Sequence, residues 1–120
     1  MKIVSEVWRS DQSGEAVVII EAQNFSVAAF SHPYNHRIGE IISRPLQIFS
    51  ATGVSKSKST KACIRRQKDG LGHEITATLA DKSKGLLAVG SFLFQLDDSL
   101  PGDICDGDFV NLVCNRIDLW

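Results

Sequence analysis

Residues 99–120, SLPGDICDGDFVNLVCNRIDLW, constrain the fold more than any other stretch. Pro101, Gly102-Asp103, Asp106 and Gly107-Asp108 supply turn chemistry, and a mostly apolar run follows them. Turn residues feeding a long apolar strand fit a barrel or sandwich closing on itself. Within the run, Val110, Leu112 and Cys114 share one parity and Ile117 and Leu119 the other, which predicts a bend near Asn115-Arg116.

The preceding segment repeats the theme. Ile75, Ala77 and Leu79 alternate with Glu74, Thr76 and Thr78, the period of a strand with one wet face. Residues 81–85, DKSKG, read as a hairpin connection. Beyond them Leu87 and Val89 hold one parity while Phe92, Phe94 and Leu96 hold the other, so a bulge or sharp bend is expected at Gly90-Ser91. Two bent strands suit a small closed barrel better than a flat sheet.

The first half supplies further strands. Residues 3–9 alternate loosely, 11–14 form a turn, and 16–22 carry Val17-Val18-Ile19-Ile20, a run that implies cover on both faces. Residues 25–30 complete a meander of three strands, and 31–40, SHPYNHRIGE, are irregular. Residues 41–50 resume the strand pattern, and Pro45, lacking an amide donor, assigns that strand to an edge or bulge. A mobile loop is expected from 51 to about 60, then a short strand at 62–67. Helix signals are scarce throughout. The chain is thus expected to be all-β, one domain over residues 1–120, a closed or partly open small barrel of six to eight strands with bulges.

Composition narrows the function. With 43% apolar and 22% charged residues the chain is typical of a globular protein that buries a real core. A net charge of -1 provides no global pull toward nucleic acid or anionic membrane, so such binding requires a local patch. No apolar run approaches the roughly 20 residues that span a bilayer, so no membrane association is expected. Cys63, Cys105 and Cys114 form no CxxC pair, and an odd count reads as reduced thiols in a cytoplasmic protein.

Chemical motifs are few. His32 and His36 are four apart, but Pro33 and the surrounding turn residues oppose a helix and no further ligands complete a metal set. The aspartates at 97, 98, 103, 106 and 108 do not follow a calcium-loop spacing and are ordinary turn chemistry. Without a phosphate-binding glycine loop, an activated serine motif or paired carboxylates in a recognisable context, the chain reads as a non-enzymatic binding module with no cofactor. Its strongest asymmetry is basic: Lys56, Lys58, Lys61, Arg65, Arg66 and Lys68 fall between residues 56 and 68 with no acidic neighbour among them. Beside exposed rings, such a stretch suits single-stranded nucleic acid, whose phosphates need cations and whose bases stack on aromatics. Tyr34, Trp8 and Phe49 are the candidate platforms. A protein partner, met by a regulator or immunity-type inhibitor through the Pro45 strand or the acidic turn, is the alternative.

GHEITATLADKSKGLLAVGSFLFQL and LPGDICDGDFVNLVCNRIDLW together resemble the closing strands of small, uncharacterised bacterial β-barrel proteins, including OB-like ones. The resemblance covers about the last fifty residues and is one of strands and turns. It implies a barrel that binds oligonucleotide or oligosaccharide on one face.

Overall fold

Strand pairing follows the alternation almost throughout the computed structural model, which describes residues 1–10, 14–68, 70–97 and 99–120, with backbone alone for 8–10. The turn expected at 11–14, apart from Gly14, lies outside the described residues, as do the ring of Trp8 and the carboxylate of Asp98. Nine strands and no α-helix form among the described residues: β1 (Lys2–Ser10), β2 (Glu15–Ala22), β3 (Phe25–Ser31), β4 (Leu46–Lys56), β5 (Cys63–Arg66), β6 (His73–Asp81), β7 (Leu86–Val89), β8 (Phe92–Leu96) and β9 (Phe109–Asp118).

Five of these close a barrel. β6, β7 and β8 form a meander, and β9 returns to lie beside β6, the spatial order of a Greek key. β4 then bridges the gap, antiparallel to β9 and parallel to β8. The closing contact is short, since β4 pairs with β8 only from Leu46 to Ile48 while its pairing with β9 continues to Lys56. Phe92 and Phe94 are fully buried inside, with rings 5.8 Å apart and nearly parallel, and Leu112 is buried with them.

Three expectations change here. At Gly90-Ser91 the chain reverses fully, because Val89 pairs with Phe92 and the two residues between form a hairpin loop. Partners across such a loop share a face although their numbers differ by three, and this produces the same parity change as a bulge. Gly90 takes φ +56, and Gln23 packs where a side chain would project. Pro45 itself precedes β4, where no ladder amide is needed; β4 lies between β9 and β8 only from Leu46 to Ile48, and beyond that β9 is its one described partner strand. Nor is 51–56 a loop, since β9 pairs with β4 as far as Lys56.

The bend near Asn115-Arg116 is present. Cys114 and Ile117 are both buried, and opposite the bend Ser50 adopts φ +58 and accepts a hydrogen bond from Asn115 Nδ2 at 3.0 Å.

β1, β2 and β3 form a separate antiparallel meander joined to the barrel through β3. Phe30 pairs with Asp118, the Leu119 amide donates to the Phe30 carbonyl at 2.8 Å, and Ser31 Oγ donates to the Leu119 carbonyl at 3.1 Å. The fourth tie is His73, fully buried at the start of β6. Its Nε2 accepts from the Ala28 amide at 3.1 Å, which puts the proton on Nδ1, 3.0 Å from the Leu71 carbonyl. Burial pushes the imidazole pKa down, so the ring is held neutral.

Val18 and Ile20 of β2 face the shared core, together with Ile3, Val27 and Ala29. Val17 and Ile19 are only half-buried. The two-sided cover expected from Val17-Val18-Ile19-Ile20 is therefore supplied on one side only among the described residues.

Candidate nucleic-acid interface

The outward residues of β4, β9, β6 and β5 line up by register. Thr52 lies opposite Val113, Val113 opposite Glu74, and Glu74 opposite Arg65. One step along, Ser55, Asn111, Thr76 and Cys63 make a second row. Their sequence neighbours Leu112, Cys114 and Ile75 point into the core, so the two rows face out. Thr76 Oγ1 donates to Asn111 Oδ1 at 2.7 Å, and the resulting floor is polar, with Glu74 and Arg65 opposite each other in its first row.

Of the basic residues, Arg65 stands in the first row, whereas Lys56 pairs with the buried Val110 and Arg66 with the buried His73, so these two alternate to the other side of their strands. Lys56 ends β4 and pairs with Asp108 at 3.6 Å. A hydrogen bond from the Cys105 amide, and then the Lys56 cation, hold the Asp108 carboxyl below its ordinary value. Lys58 and Lys61 are exposed in the following loop. This loop is tied down rather than loose: the Ser57 amide donates to the Phe109 carbonyl at 2.7 Å, Ser59 to Ser57 Oγ at 3.1 Å and Lys61 to Ser59 Oγ at 3.2 Å. Serine turn chemistry supplies the order that the absence of apolar residues argued against. Arg65 and Arg66 are exposed on β5, and Arg66 Nε donates to the Gly70 carbonyl at 2.8 Å.

Tyr34 does not join them. It is 5% exposed, its ring belongs to the core, and its amide donates to the Gly14 carbonyl at 2.8 Å. Burial first, and then the Glu6 carboxylate, push its hydroxyl pKa far up. A ring held inside the core cannot stack on a base, so Tyr34 is removed from the candidate site.

Phe49 remains as a platform. It is 49% exposed on β4, above the Thr52 row. Arg116, opposite it on β9, lies between two rings, 4.6 Å from the Phe49 centroid and 4.7 Å from that of Phe30. Its guanidinium is also forked on Asp118, at 2.6 Å from Nε to Oδ1 and 3.1 Å from Nη2 to Oδ2. The cation is thus spent inside the protein and stiffens the platform. Arg116 was not anticipated as a site residue, although the bend at 115–116 marked the place. From Phe49 to Lys56 the strand runs roughly 23 Å, at about 3.3 Å per residue.

Cys114, buried in the barrel, has its thiol pushed up to about 11 by desolvation and is an inert core residue. Among the described residues, no helix is long and apolar enough to cross a membrane. Comparison with protein-family models, curated proteins and solved structures finds no match. The site is therefore read from its own geometry.

Proposed function

We propose that the protein is a non-enzymatic module that binds single-stranded nucleic acid across the outer face of β4, β9, β6 and β5. Arg65 on that face and Lys58 and Lys61 in the loop beside it meet the phosphates, and Phe49 takes the stacking role first given to Tyr34. The observation that carries this reading is the half-exposed Phe49 on the same strand as the outward Thr52 and Ser55, whose rows run across β9 and β6 to Arg65 and Cys63 on β5. Base stacking of about 1–3 kcal/mol per base and counterion release by lysines are the two terms such a surface exploits. A barrel of five strands with a Greek key is also the architecture of OB-like modules, which bind oligonucleotides on one face. A bacterial cytoplasmic setting, the one read from the sequence, is compatible with this ligand.

Fluorescence anisotropy with a labelled oligothymidylate of about 12 nucleotides tests the reading. Affinity should fall steeply between about 50 and about 200 mM salt, and the slope should flatten by about one for each lysine removed in Lys58→Ala and Lys61→Ala. Absence of binding at low salt, or binding indifferent to salt, would exclude it.

A protein-interaction role is the second reading, moved from Pro45 to β1. Val7 and Ile41, 66% and 67% exposed, lie with Val4 and Ile38 along the outer strand of the meander. A partner strand adding to that edge would protect the oligonucleotide-free protein's β1 amides from exchange and leave the barrel face untouched.

A further inference from the structure

A cleft of about 400 Å³ opens where the irregular stretch after β3 passes the end of β9; His32, Asn35, His36, Arg44 and Trp120 line it with Pro33. A smaller one of about 190 Å³ adjoins it, sharing Arg44 and Trp120 and reaching Gln47. Gln47 lies two residues before Phe49 on β4, so the cleft continues the outer track at the end opposite the lysines.

The chemistry of the lining is specific. Trp120 is 74% exposed, a broad ring offered to solvent. Arg44 Nη2 donates to the Trp120 carbonyl at 3.1 Å, which ties the guanidinium to the main chain of Trp120 while spending one of its five N–H donors. His36 Nδ1 is hydrogen-bonded to Glu40 Oε2, leaving His32 as the imidazole facing the cleft without that tether. No Asp or Glu side chain is among the described residues that line either cleft. A flat aromatic surface, a forked cation and an imidazole together match a planar base carrying a phosphate, since the guanidinium fork fits phosphate oxygens and the indole face fits a base.

We propose that this cleft is a nucleotide subsite, with Trp120 stacking one base and Arg44 and His32 holding its phosphate. The proposal deepens the single-strand reading and rests on it for its biological ligand. The cleft nevertheless has a test of its own.

Adenosine 5′-monophosphate is titrated against Trp8→Phe protein, in which Trp120 is the remaining tryptophan, while emission is followed. Saturable quenching is expected. Arg44→Ala should weaken it by about tenfold or more, as loss of a charge-assisted contact does, with Arg44→Lys intermediate because the fork is lost and the charge kept. Adenosine should bind more weakly than the monophosphate. No saturable quenching, an unaltered response in Arg44→Ala, or equal affinity for adenosine would overturn the subsite. Oligothymidylate binding without monophosphate binding removes the subsite and leaves the strand reading standing. Monophosphate binding by a protein that ignores oligothymidylate does the reverse, and makes the cleft a site for free nucleotide.

Discussion

The barrel and the N-terminal meander are made of the same material, short strands with alternating apolar residues, yet they solve the edge problem differently. β4 and β9 each find partners on both sides over part of their length, and the ring they complete encloses Phe92, Phe94 and Leu112 in a core to which the meander adds Ile3, Val18, Ile20 and Val27. The meander buries one face only and ends in β1, whose amides beyond Ile3 have no described strand on the far side. A closed sheet is stabilised by its own interior, whereas an open one depends on what holds it to its neighbour. Here the holders are His73, Ser31 and the Phe30–Asp118 pair.

Truncation inside the ring should therefore have the largest effect. Phe94→Ala removes a fully buried ring stacked on Phe92 and should cost about 3–5 kcal/mol in urea unfolding. A loss below about 1 kcal/mol would mean that the barrel interior is not the seat of stability.

That interior was legible in the sequence because period-two alternation from Ile75 to Leu79 and from Val110 to Cys114 has only one reading when one face must be buried. Gly90-Ser91 was legible as an irregularity but not as a reversal, since a hairpin and a bulge change parity alike. Tyr34 misled because an irregular, polar neighbourhood says nothing about where one ring goes, and here the ring packs inward. The Arg116 stack could not be seen at all: it joins Phe30, Phe49 and Asp118, brought together only by the β3–β9–β4 pairing.

The joint between the two regions gives the next effect. His73→Leu would strand the buried Ala28 amide at a cost of about 1–3 kcal/mol. The same ring makes the joint acid-sensitive. Its pKa is lowered in the folded protein, so the unfolded chain binds the proton more readily; the stabilisation is complete above about pH 6.5 and declines as pH falls below it. The slope contributed by one such group is at most about 1.4 kcal/mol per pH unit. His73→Gln, which keeps an acceptor but cannot titrate, should flatten the stability curve between about pH 6.5 and pH 5 relative to wild type. An unchanged curve would show that the imidazole is not held neutral.

Smaller again is Arg116→Ala. Loss of contacts to two rings and of the Asp118 partner should destabilise by about 1–2 kcal/mol and lower oligonucleotide affinity by loosening Phe49. Lys58→Ala and Lys61→Ala, both exposed, should stay within about 0.5 kcal/mol of wild-type stability while weakening binding. A stability loss larger than that would place these lysines in the fold rather than in the interface.

The most direct test is amide chemical-shift mapping with oligothymidylate at low salt. Binding on the barrel face predicts perturbations at Phe49, Thr52, Ser55, Lys58, Lys61, Arg65 and Thr76, with Val17 and Ile19 of the meander unmoved. Perturbations confined to the meander, or none at any ratio of oligonucleotide to protein, would contradict it.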